Sequence, residues 1–202
     1  MVQIALPLDI RGGAGSVEIC QGDANRAAIE ALNRPGGWPF HTAVLVGPPR
    51  SGKSLLAGWF AANTEGEVLD DAHLMPETSV FHAWNRAQEG AHPLLLTAAP
   101  GWRIALPDLA SRLGGSLQLA IGPPHDEQLA QLILAHAEQR RLVLGEGAAA
   151  YLVPRIERSW AAAEAVVEAI DRLSLERQAP ATLSLWRDAL EAVQGPEQGR
   201  LL

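Results

Sequence analysis

Lysine is nearly missing from this chain: Lys53 stands alone against fifteen arginines in 202 residues. Cysteine is also single, so no disulfide can form within the chain, and Cys20 reads as a buried small apolar residue rather than a nucleophile. No apolar run approaches the roughly 20 residues a membrane helix needs, and the N-terminus lacks the charged-then-apolar pattern of a secretory signal. These absences lead us to expect a soluble, cytoplasmic protein in a reducing compartment, with no membrane partner. The net charge is −7 and the basic residues are scattered, so there is no basic stripe of the kind that meets a phosphate backbone, and direct sequence-specific DNA or RNA binding is disfavoured. Abundant Ala, Arg, Gly and Pro mark a GC-rich coding bias and carry little functional weight.

The position of the lone lysine is informative. Thr42 to Val46 is an apolar, strand-like run, Gly47-Pro48-Pro49-Arg50-Ser51-Gly52-Lys53-Ser54 is a Gly-x4-Gly-Lys-Ser loop, and Leu55 opens an apolar helix-forming segment. That pattern is a phosphate-binding P-loop. Its glycines turn backbone N–H groups inward, Lys53 reaches the β and γ oxygens, the Ser54 hydroxyl holds Mg²⁺, and the helix start points its positive end at the anion. A compact ammonium among phosphate oxygens is a place where the planar arginine fork substitutes poorly. Candidate nucleotide contacts are therefore Gly47, Pro48, Arg50, Ser51, Gly52, Lys53, Ser54 and Leu55.

Residues 1–10 are apolar and are cut off from the body by the glycine-rich run Arg11 to Ser16, so residues 1–16 read as a peptide on a flexible linker. Pro7 argues against a strand inside a sheet. Val17 to Gly22 reads as a short extended segment. Asp23 is expected to cap a helix running to about Asn33, ended by Pro35-Gly36-Gly37. Beyond the P-loop helix, Val68-Leu69-Asp70-Asp71 is a short strand ending in two carboxylates. An acid there can hold Mg²⁺ through water, so Asp70 is the candidate metal residue beside Ser54 and Asp71 the candidate for polarising an attacking water; an acidic turn is the plainer reading. Further elements are a helix from Pro76 to Gln88, a buried strand from Pro93 to Ala99, a helix from Leu106 to Leu113, and a strand from Leu117 to Ile121. Arg112 falls at a helix C-terminus, free to point outward. Helices alone follow, at about Pro123 to Arg141, Glu146 to Val153, Glu157 to Leu175 and Pro180 to Val193. This order predicts a parallel α/β nucleotide-binding domain over 17–122 and a small all-helical lid over 123–202.

These segments together resemble the AAA+ ATPases, and specifically the Hda family of DnaA-related regulators of replication initiation. The resemblance rests on Gln3-Ile-Ala-Leu6-Pro7-Leu8, the P-loop, Val68 to Asp71, Leu94 to Thr97 with Leu106 to Leu113, and Glu157-Arg158-Ser-Trp-Ala. It implies that Gln3, Leu6, Pro7 and Leu8 dock on the sliding clamp of the replicative polymerase (its β subunit), while the body, holding ADP or ATP with Mg²⁺, promotes hydrolysis of ATP bound to DnaA and limits initiation. It further implies that Thr97 is the sensor on its strand, Arg112 an arginine finger acting in trans, and Arg158 the lid residue that touches the phosphates, with Arg155 as its rival. From the residues alone, Thr97 is equally a strand-end hydroxyl and Arg112 a cation favoured by the helix dipole. Too few residues separate the P-loop helix from Asp70 for the strand and helix usual there, so the sheet is expected to lack one edge strand. Asp71 replaces a longer catalytic glutamate, and both departures imply weak intrinsic hydrolysis. The chain also ends after the lid without a basic DNA-reading domain, which implies action through proteins; self-association stays open. A small-molecule P-loop kinase and an autonomous AAA+ loader are the competing readings.

Overall fold

The structure, a computed structural model, describes residues 19–195, so Gln3, Leu6, Pro7 and Leu8 lie outside the described residues. The chain divides into two compact units that meet at Gly122 and Pro123.

The first unit is built on a parallel sheet. Its strands are β1 (Thr42–Val46), β2 (Glu67–Leu69), β3 (Leu94–Ala98) and β4 (Leu117–Ala120), in the spatial order β2-β3-β1-β4. The two central strands, TAVLV and LLLTA, are nearly continuous apolar runs because helices cover both of their faces. Helices α1 (Arg26–Leu32) and α2 (Lys53–Asn63) pack on one face, where the stacked rings of Trp38 and Phe60 lie 5.2 Å apart. Helices α3 (Glu77–Gly90) and α4 (Pro107–Gly115) pack on the other, around Val44, Val80, Trp84, Leu96, Leu109 and Leu113. Four parallel strands with one short edge strand at β2 match the expected fold, including the cut-back edge: only Thr64, Glu65 and Gly66 lie between α2 and β2, too few to carry another strand.

Residues 19–22 carry no helix or strand, and one local expectation fails beside them. Asp23 does not cap α1; it pairs with Arg26 at 2.5 Å, and Asn25 holds the turn by accepting from Gly22 N at 2.9 Å and donating to the Cys20 carbonyl at 2.9 Å. Cys20 is half-buried rather than buried, because it lies in this irregular approach to α1 and not in the core.

The second unit is all helical: α5 (Asp126–Gln139), α6 (Ala148–Leu152), α7 (Trp160–Arg177) and α8 (Leu183–Gln194). Leu129, Ile133, Leu152, Val166, Ile170, Leu185 and Trp186 fill its core. Helix α7 starts later than its periodicity suggests, because the Ser159 hydroxyl accepts from Ala162 N at 3.1 Å and closes the helix N-terminus there. Arg158 therefore lies in the turn before α7 and not on it. No helix among the described residues is long and apolar enough to cross a membrane.

Candidate functional site

Parallel strands deliver their C-terminal ends to one edge of the sheet, where open α/β folds bind ligands. Gly47 follows β1 there, Asp70 and Asp71 follow β2, and Thr97 is near the end of β3, with Leu45 in register with Thr97 and Val46 with Ala98. Gly47 N donates to the Ala98 carbonyl at 3.3 Å, fastening the loop to the neighbouring strand.

The loop is folded tightly around its lysine. Arg50 and Gly52 adopt left-handed backbone with φ of 64° and 84°, turns that bring successive amides toward a common centre. Lys53 is 9% exposed and donates through Nζ to the carbonyls of Gly47 at 2.8 Å and Pro48 at 3.0 Å. A buried ammonium whose acceptors are both neutral is poorly compensated. The Ser51 hydroxyl is buried with no hydrogen-bond partner. A Cβ on Gly47 would lie 2.8 Å from Ser51 Oγ and 3.1 Å from Ile121 Cβ, so the loop closes only because that side chain is absent. A cation and an unpaired hydroxyl around a side-chain-free position fit a phosphate group. Ser54 and Leu55, in the first turn of α2, are exposed.

Thr97 ties the acidic pair to the sheet. It is fully buried, its hydroxyl donates to Asp70 Oδ1 at 2.5 Å, and the same oxygen accepts from Asp71 N at 2.8 Å. The hydroxyl proton is thus spent on Asp70, so Thr97 acts on the carboxylate and not directly on a ligand in this arrangement. Asp71 takes left-handed backbone at φ 51°, and its carboxylate lies 4.0 Å from His73 Nδ1. That nitrogen accepts from Ala99 N at 3.4 Å, linking the two strand ends a second time.

Arg112 is half-buried and lies against the neighbouring helix α3. Its guanidinium carbon is 4.6 Å from the Phe81 ring centre and 4.5 Å from the Trp84 ring, and NH1 donates to Asn85 Oδ1 at 2.7 Å. These three partners belong to α3, and none belongs to residues 47–54. Sequence reading missed them because it treats α4 by itself; their spacing of three and four residues, which puts them on one face of α3, is the signal that was available. In the helical unit, Arg158 forks the Asp126 carboxylate at 2.6 and 3.0 Å. That hydrogen bond holds Asp126 below the usual carboxylate range and raises Arg158. Arg155 instead lies 4.1 Å over the Tyr151 ring and donates to the Tyr151 carbonyl at 2.8 Å.

No family model matches the sequence. Among solved structures, the chain is similar to domain III of the replication initiation protein DnaA from Thermotoga maritima, with a TM-score of 0.73 and 13% identity over 88% of this chain and 95% of that one. It is also similar to the RuvB Holliday junction branch migration motor of Thermotoga maritima, with a TM-score of 0.63 and 18% identity over 85% of this chain and 69% of that one. A third likeness is to AMPPCP-bound DnaA from Aquifex aeolicus, with a TM-score of 0.58 and 16% identity over 78% of this chain and 65% of that one. At these identities the likeness speaks for the fold, and the fold is that of an AAA+ P-loop domain with a small helical unit after it.

Proposed function

We propose that this protein is a nucleotide-bound AAA+ regulator that docks on the polymerase sliding clamp and promotes hydrolysis of ATP bound to DnaA. Gly47 to Leu55 would hold the diphosphate of ADP or ATP. Mg²⁺ would take the Ser54 hydroxyl, Asp70 through water, and the phosphates themselves, as this ion usually does. When bound, the metal would neutralise phosphate charge; the chain's own part would be to orient Asp70 through Thr97, with Asp71 polarising an attacking water. Arg158 would contribute from the lid after exchanging or sharing Asp126.

The observation that carries the trans reading is the placement of Arg112. Its side chain is engaged by neutral groups of α3 and by none of residues 47–54, which supports a role outside its own P-loop. In P-loop systems such a charge is worth about 10³ to 10⁵ in rate. Gln3, Leu6, Pro7 and Leu8 would anchor the protein to the clamp, and the linker would raise the effective concentration of the body near a clamp-bound partner.

Steady-state ATP hydrolysis by DnaA, measured with clamp and with this protein or its variants, tests the reading. Arg112→Ala should leave ADP affinity unchanged and abolish stimulation. Replacing Gln3, Leu6 and Leu8 with Ala should abolish stimulation in dilute solution and leave ADP binding intact. A mutant at Arg112 that loses ADP binding but still stimulates DnaA would make Arg112 a residue of its own site.

A further inference from the structure

Arg112 is held without a counter-charge. Two aromatic rings lie within 4.6 Å of its guanidinium carbon and one neutral amide takes one of its donors, and among the described residues it forms no ion pair. These contacts use the ring-facing side of the group and one nitrogen. A guanidinium offers five N–H donors in a planar fork, so the remaining edge is available for a two-point contact with an oxyanion.

The holder is itself supported. Phe40 and His41, two successive residues with side chains, both take left-handed backbone at φ 51° and 50°. Such backbone is strained for non-glycine residues and persists where the surroundings enforce it. Here Gln88 Nε2 and Thr42 Oγ1 both donate to the Phe40 carbonyl, at 2.6 and 2.8 Å. The outcome is that the Phe40 ring, 54% exposed, backs Trp84 with ring centres 6.1 Å apart. A strip of Phe40, Trp84, Arg112 and Phe81 drawn from three segments thus stands on one face of the α/β unit. Aromatic residues around an arginine are the composition that dominates binding energy at protein interfaces.

We infer that Phe81, Trp84 and Asn85 are positioning residues that hold the Arg112 guanidinium edge-outward, pre-organised for a phosphoryl group on a nucleotide carried by a second AAA+ module. This rests on the trans reading of Arg112 and adds the device that makes it effective. A free arginine must freeze its rotamers at each encounter, whereas one already stacked and hydrogen-bonded loses little more.

The test uses the full chain with clamp and DnaA, and two substitutions: Phe81→Leu, which keeps an apolar side chain against the core but removes the ring, and Asn85→Ala at a half-buried position. Each is expected to lower maximal stimulation of DnaA about tenfold while the half-saturating concentration, ADP binding and melting temperature stay at wild-type values. Unchanged stimulation in both, with Arg112→Ala inactive, overturns the holder and leaves the trans reading standing. If Arg112→Ala itself stimulates normally, the trans reading falls, and ¹⁵N relaxation at Arg112 Nε then decides the holder alone. An order parameter near the rigid value of about 0.85 in the wild type, falling toward 0.6 in Asn85→Ala, supports it; a mobile wild-type group overturns it. Equal affinity for nucleotide-free and ATP-loaded DnaA, lost in Arg112→Ala, would show that Arg112 meets a surface carboxylate and would overturn the phosphoryl assignment.

Discussion

Replacing Thr97 with valine isolates a single hydroxyl. The two side chains have nearly the same shape and Thr97 is fully buried, so no cavity is expected; what changes is that Asp70 loses a donor at 2.5 Å and the Asp71 amide loses an acceptor at 2.8 Å. A hydrogen bond to a charged group contributes about 1.5 to 3 kcal/mol, and a stranded buried amide costs about 1 to 3 kcal/mol. Asp70 is only partly buried and regains water, so the first figure sits at its lower end. The sum is about 2.5 to 4.5 kcal/mol, which for a chain of this size lowers the melting temperature by about 5 to 18 °C. Thr97→Ser keeps the hydroxyl and loses one methyl, at a cost of about 1 kcal/mol. Circular dichroism melts of both variants check the stability. Calorimetric ADP titrations with and without Mg²⁺ check the site, where Thr97→Val should weaken binding more in the presence of the metal because the anchored carboxylate is the metal-side residue. Thr97→Val within about 0.5 kcal/mol of wild type, or Thr97→Ser as damaging as Thr97→Val, would refute the strut role given to this hydroxyl.

Gly47→Ala should cost at least a hundredfold in ADP affinity, since its Cβ would lie 3.1 Å from the Ile121 Cβ, an atom that cannot swing aside; isothermal titration giving wild-type affinity would mean that the nucleotide does not enter this loop. Lys53→Ala should abolish binding and with it the rise in melting temperature that ADP gives the wild type, because a ligand bound only to the folded state stabilises it by mass action. Arg158→Ala should weaken ADP about tenfold, the equivalent of one charge-assisted hydrogen bond, while Asp126→Asn, which only releases Arg158, should change affinity less than threefold; equal losses would make the pair structural. Because the hydrogen bond from Arg158 holds Asp126 below the usual carboxylate range, what the pair adds to stability is present above the ordinary carboxyl value of about 3.9 and is lost as pH falls through the lower folded value. Melts between pH 5 and 9 should therefore show no difference between wild type and Asp126→Asn in pH slope.

The fold was legible because its signals are local. Buried parallel strands leave continuous apolar runs, and Thr42 to Val46 and Leu94 to Ala98 were readable as such. The P-loop was legible because its chemistry demands fixed residue types at fixed spacing. Even the reduced sheet followed from counting residues between α2 and Asp70. Element starts were less legible, since capping is decided by which of several nearby polar side chains wins the turn. At α1 neither Asp23 nor Asn25 caps through its side chain, Asn25 bonding back to Gly22 and Cys20, while Ser159 set α7 to begin at Trp160, leaving Arg158 outside it.

The surroundings of Arg112 were not legible, because a cation held by rings on a different helix leaves no mark on its own segment. Charge pairing shows why this matters. In a chain of net charge −7 an arginine can readily find a carboxylate, and Arg26, Arg86, Arg158 and Arg177 each have one within 2.6 Å. Among the described residues of the α/β unit only two cations are withdrawn from full exposure, Lys53 and Arg112. Both are held by neutral groups alone, carbonyls in one case and rings with an amide in the other. A partly buried cation without an anion carries an uncompensated desolvation cost, and that cost falls when an anion arrives from outside the chain. For Lys53 the surrounding loop is shaped for the phosphates of its own nucleotide. For Arg112 the trans reading proposed above supplies that anion as a phosphate carried by a second molecule, and Arg112→Ala tests it.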